Sequence, residues 1–205
     1  MNEARRETAS KSARLREFAE YRRIASIDEM GRRKFANNAF DGILTMVGVV
    51  MGSYVAGVRD PRVVVSTGVA TCMAMGISGF WGAYATESAE RKRELQDLEQ
   101  AMLRDLGETE QARASRFAAI VVSVIDGLSP LIAGMLVLLP FLFTGTWSAT
   151  GASYVAAVVI ALIALFGLGI FLGKVARENV LLSGVRMILA GLVCVALSFL
   201  LNGGG

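Results

Sequence analysis

Five apolar runs alternate with polar ones along the chain, at about residues 36–58, 63–86, 117–142, 150–173 and 182–201. A bilayer core of about 30 Å is crossed by roughly 20 apolar residues in helical form, so each run predicts one spanning helix. The polar remainder falls into two segments. Residues 1–35 read as an amphipathic extension, with Leu15, Phe18, Tyr21 and Ala25 set among charges and offering a packing or dimer contact. Residues 87–116 form a charged segment whose first part, 87–106, continues the second spanning helix. The expected organisation is therefore an N-terminal extension (1–35), two spans (36–86), the charged segment (87–116) and three further spans (117–205).

Composition agrees with an all-α polytopic membrane protein, because 54% of the 205 residues are hydrophobic, too many for an ordinary soluble domain. The first 35 residues are too charged for a signal peptide, so the first span is expected to remain in the mature protein. Charge then predicts orientation. Ten Lys or Arg precede Asn37, two lie in the first loop, six lie between Arg91 and Arg116, none in the third loop and three in the fourth. The positive-inside rule places the N-terminus and residues 87–116 in the cytoplasm and the C-terminus outside. Arginine-rich flanks at an anionic leaflet account for the net charge of +3, and no nucleic-acid partner is called for.

Several chemistries drop out. The chain has no histidine, which excludes the usual imidazole metal site, a Ser/His/Asp arrangement and a histidine proton shuttle. It has neither a Walker loop nor G-x-G-x-x-G after a strand, and no nucleophile and base pair, so neither nucleotide-driven pumping nor an enzyme is expected. Cys72 and Cys194 fall inside spans, where a free thiol packs as a small apolar residue.

Asp41 and Asp126 are the acidic residues inside the five runs, and each opens an Asp-Gly pair: Asp41-Gly42-Ile43 and Asp126-Gly127-Leu128. The second run ends GISGFWGAYATE and the fourth GLGIFLGKVARE, with matching Gly, Phe, Gly, Ala and Glu positions. These similarities suggest a parallel two-helix repeat that would place the two aspartates in equivalent positions, facing one another across the bundle.

A charged Asp at the centre of a membrane helix costs roughly 2.5–3.5 kcal/mol on insertion scales, and such residues usually face a cavity, a partner or an ion. Two carboxylates without a cation repel, and one takes up a proton; a divalent metal supplies the missing charge, and its entry displaces protons. A metal/proton exchanger follows from that logic. The competing account is a carboxylate that caps or snorkels at the membrane surface, which suits Asp41 better than Asp126.

Helical spacing puts Asn37, Asn38, Asp41, Thr45, Gly48 and Gly52 on one side of the first span, polar at its inner end and small further out. Close helix packing alone would explain the glycines. In the third span Pro130 lacks the N–H that would bond the carbonyl of Asp126, predicting a break of the kind that lines ion sites. Met46 and Met75 would add soft thioether ligands favouring Fe²⁺, whereas oxygen ligands alone suit Mn²⁺; packing is the commoner role of such methionines. On the charged segment, Glu87, Glu90, Glu94 and Asp97 recur at three- and four-residue steps and can share a face, beside an apolar face of Leu95, Leu98, Met102 and Leu106. They are either a ladder that collects divalent cations or a solvated helix with pairs such as Glu87 to Arg91.

With its five spans, Asp-Gly near the start of the first, a charged helix after the second, GLSPLIAGMLVLLPFLF (127–143) and SGVRMILAGLVCVALSFLLNG (183–203), the chain resembles the vacuolar iron transporter (VIT) family. The resemblance implies a homodimer in the cell membrane, or an organelle membrane in a eukaryote, that moves Fe²⁺ or Mn²⁺ out of the cytoplasm in exchange for protons. It implies a path between helices of the two subunits, with Asp41 on it. No permanently bound cofactor is implied; the metal is substrate. Family members carry a Met in a SMA stretch and a Glu in a following GEY of the second span, where this chain has SGFWGAY, with Gly79 and Ala83 at those positions. Met75 lies one turn from Gly79, Glu87 lies one turn beyond Ala83, and Asp126 is a gain that would replace the lost carboxylate. The charged segment is also shorter than the family's three-helix metal-binding domain. Two readings stand at this point: a proton-coupled metal exporter using Asp41, Asp126 and Met75, with Asn38, Thr45, Met46, Gly79, Ala83 and Pro130 along the path, or a non-transporting scaffold or metal sensor on the same fold.

Overall fold

The computed structural model describes residues 27–103, 105, 107, 109–143 and 150–202. The N-terminal positions Leu15, Phe18, Tyr21 and Ala25, and Leu106 of the charged segment, lie outside them. The described residues form five helices and no strand: α1 (Ile27–Val55), α2 (Pro61–Met102), α3 (Glu110–Leu142), α4 (Thr150–Ala176) and α5 (Val180–Asn202). All five are long and apolar enough to cross a membrane.

Local chemistry sets the ends. Gly57, with φ +70°, closes α1 in a Schellman turn, the N–H of Val58 bonding the Ser53 carbonyl and that of Gly57 the Tyr54 carbonyl, both at 3.0 Å. Pro61 then starts α2 at the position where its missing N–H costs nothing, and the Asp60 carboxylate accepts from the Arg62 N–H at 2.9 Å. The same Schellman pattern closes α4, with Arg177 in the left-handed region (φ 56°) and the Glu178 N–H bonding the Gly173 carbonyl at 3.0 Å. Asn179 caps α5, its Oδ1 accepting from Leu181 at 3.1 Å and Leu182 at 3.3 Å.

Helices α1 and α3 begin ahead of their apolar runs, and α2 continues unbroken from its span into the charged segment as far as Met102. α3 runs on through Pro130 and Pro140. α3 is thus helical on both sides of Pro130, whose ring removes the one N–H that would bond the Asp126 carbonyl.

The contacts divide the chain into two units. One contains the start of α1 up to Lys34 together with Phe80–Asp126. Its interior is made of small side chains, Ala83, Ala112, Ala118, Ala119, Val122 and Ser123, all nearly inaccessible, and Gly31 lies against Ile125. The other contains Phe35–Gly79 and the chain from Gly127 onward. Its core joins Ile43, Met46, Val47 and Val50 of α1 to Val64 and Cys72 of α2, Leu138 and Phe141 of α3, and Tyr154, Ala161 and Leu165 of α4. Lipid tails are as apolar as these side chains, so close packing rather than water exclusion holds the helices together. Glycines permit it where backbones meet. A Cβ on Gly42 would lie 2.5 Å from the Pro130 carbonyl oxygen, and one on Gly169 2.6 Å from the Gly184 Cα. Tyr154 ties α4 to the first loop by donating to the Val58 carbonyl at 2.8 Å.

Candidate functional site

In the first unit three helices bring four charged side chains together. Lys34 of α1 places its Nζ 3.7 Å from Asp126 Oδ2 of α3 and 4.0 Å from Glu87 Oε1 of α2. One helical turn along α2, the Arg91 Nε lies 3.4 Å from Glu87 Oε2, an ion pair in which that buried Nε makes no hydrogen bond. Arg91 also donates through Nη2 to the Met30 sulfur at 3.7 Å. Asp126 and Glu87 are only 8% and 7% exposed. Among the described residues, these two nearly buried carboxylates are met by two cations, Lys34 and Arg91. At an effective dielectric of about 20, each pair near 4 Å is worth about 4 kcal/mol before desolvation is subtracted.

Spacing along the sequence anticipates the Glu87–Arg91 pair but not its partners. Lys34 counts, in sequence, as one of ten basic residues before the first span, and nothing in its local pattern distinguishes it from Arg32 and Arg33, which are exposed. The structure joins Glu87 to Asp126 through Lys34, whereas Glu90, Glu94 and Asp97 on the same side of α2 remain exposed. Among the described residues no group of three or more His, Cys, Asp or Glu side chains is placed to hold a metal ion.

The second unit holds the α1 stripe. Asn37, Asp41 and Thr45 are exposed, and Asn38, Gly48 and Gly52 are half-buried. A Cβ added at Gly48 or Gly52 would meet nothing within 4 Å, so neither glycine serves close packing among the described residues. Gly42, on the next face, does. Met46 is completely buried in the core, and Met75 packs at its edge; both fill space there. Gly79 is half-buried and Pro130 buried, while Ala83 is buried in the first unit. Asp41 thus belongs to the second unit and is exposed, and Asp126 belongs to the first and is paired. Cys72 and Cys194 are free thiols, Cys72 buried and Cys194 directed at the Leu44 carbonyl at 3.8 Å.

A helical chain with five spanning segments, apolar side chains such as Ile132, Val159, Ile163 and Leu189 on its outside and paired charges within is an integral membrane protein in contact with lipid. The family model of the VIT family matches it twice, over residues 33–123 and 96–202. It is 32% identical over 177 residues to an uncharacterized protein of Methanocaldococcus jannaschii, an alignment covering 85% of this chain and 90% of that protein. The chain belongs to the VIT family. Membership points to transport of metal across a membrane and away from enzymatic chemistry; the archaeal relative, being uncharacterized, adds no substrate.

Proposed function

We propose that the protein is a proton-coupled transporter of divalent transition metal, Fe²⁺ or Mn²⁺, that moves the ion out of the cytoplasm as a homodimer. The observation that carries this reading is the open polar stripe of α1. Asn37, Asp41 and Thr45 are exposed on a helix that spans the membrane, where facing hydrocarbon would cost several kcal/mol for the carboxylate alone. A second copy of the chain laid against this stripe would shield it, and the open space over Gly48 and Gly52 would leave room for a hydrated path between the two copies. The N-terminus and the charged end of α2 face the cytoplasm in this reading, in keeping with the basic residues there.

Asp41 and Asp126 are the carboxylates on which transport depends. Lys34 sits against Asp126 and Glu87 where a cation would bind, so a metal ion reaching these carboxylates must displace the ammonium. Glu90, Glu94 and Asp97, exposed on α2, gather the ion beforehand. The pairing of Lys34 and Arg91 with these carboxylates also favours a second reading, in which the protein is a membrane scaffold or sensor and the two cations lock three helices together.

Uptake of Fe²⁺ and Mn²⁺ into proteoliposomes, driven by an imposed proton gradient, separates the two. Asp41→Asn and Asp126→Asn should each reduce the rate at least tenfold while leaving the protein folded. Parent-like uptake by Asp126→Asn would remove Asp126 from the path, and no gradient-dependent uptake by the parent would leave the scaffold reading.

A further inference from the structure

A cavity of about 480 Å³ opens between α2 and α3 in the first unit. Tyr84, Ser88, Arg91, Lys92 and Leu95 line it from α2, at steps that keep one helical face turned toward it. Ala112, Ser115, Arg116, Ala119 and Ile120 answer from α3. Three basic and three hydroxyl-bearing residues are thus among those lining a mainly apolar cavity, and no carboxylate is. Arg91 is matched by Glu87, but Lys92 and Arg116 are exposed, and Arg116 spends one N–H on the Gly107 carbonyl at 2.7 Å. The surplus positive charge invites an anion.

The level of the cavity identifies which anion. It lies where both helices change from apolar to charged: Ile120 and Tyr84 belong to the spans, and Lys92 and Arg116 lie beyond them. Trp81, 62% exposed, contacts the rings of Phe80 and Tyr84 at 5.7 and 6.4 Å, an aromatic group of the kind that sits at the headgroup level of a bilayer. We infer that this cavity binds an anionic phospholipid, its phosphate held by Lys92, Arg116 and the Ser88 and Ser115 hydroxyls, and its acyl chain lying along Ile120 and Tyr84. Basic pockets between membrane helices suit such headgroups, which a zwitterionic lipid of no net charge does not replace. The site uses none of the residues assigned to transport.

Native mass spectrometry of the full chain in detergent, titrated with phosphatidylglycerol, phosphatidylcholine or inorganic phosphate, tests the inference. The parent should retain phosphatidylglycerol and not phosphatidylcholine. The double variant Lys92→Gln/Arg116→Gln should bind it roughly tenfold or more weakly, since each basic residue near the headgroup contributes several-fold. Arg93→Gln/Arg113→Gln, which removes the same charge outside the cavity, should bind like the parent. Equal weakening in both double variants, equal retention of the two lipids, or binding of inorganic phosphate in place of phosphatidylglycerol would overturn it. Thermal unfolding of each variant checks that the helices remain assembled.

Discussion

Replacing Lys34 by Met keeps the length and the apolar stem of the side chain and removes only the ammonium. That group lies 3.7 Å from one carboxylate and 4.0 Å from another, each nearly buried. The gross attraction is about 4 kcal/mol per pair at an effective dielectric of 20, and deleting one partner of a buried ion pair usually costs about 3–5 kcal/mol. The Lys34 side chain is 29% exposed, so water already screens it in part and can reach the carboxylates in its absence. A loss of about 2–4 kcal/mol is therefore expected for Lys34→Met. Adding Asp126→Asn restores charge balance, because Glu87 retains Arg91. The double variant should accordingly recover at least about 1 kcal/mol relative to the sum of the single changes. Reversible unfolding in mixed micelles, followed by circular dichroism across a denaturant series, supplies the cycle. A Lys34→Met protein within about 0.5 kcal/mol of the parent, together with additive single changes, would refute the assignment of the cluster as the electrostatic tie among α1, α2 and α3.

Two glycines of α1 should respond oppositely to one methyl group. Gly42→Ala drives a Cβ into the Pro130 backbone and should cost about 1–3 kcal/mol of stability or abolish folded expression, whereas Gly48→Ala should leave protomer stability within about 0.5 kcal/mol. If the α1 stripe is the dimer face, Gly48→Leu should still weaken association, measured by sedimentation in detergent. At the end of α4, Arg177→Gly relieves a left-handed residue and should stabilise by up to about 1 kcal/mol, read as a rise in melting temperature.

Helix number and kind were legible because each apolar run is long enough to cross a bilayer, and the i, i+4 step from Glu87 to Arg91 is local enough to read directly. Which neighbour covers a face is not local. Glu87, Glu90, Glu94 and Asp97 share one side of α2 by spacing, and only packing against α1 and α3 separates the first from the other three. Pro130 does not end α3, since a proline inside a helix removes a single N–H and the helix resumes around it, and the close approach of Gly42 to its backbone is not local either. The two Asp-Gly pairs invite a single explanation, yet their glycines have the clearer role, Gly42 against Pro130 and Gly127, through its carbonyl, beside Gly76.

The α1 stripe also bears on how the chain is made. α1 is the least apolar of the five spans, carries an aspartate and leaves the ribosome first. It reaches the translocon with little to gain from hydrocarbon, and the α3 backbone on which Gly42 docks has yet to be synthesised. Its secure seat in the bilayer must then be conferred afterwards by later helices, so that a fault near Pro130 would surface as the loss of the first span during biogenesis.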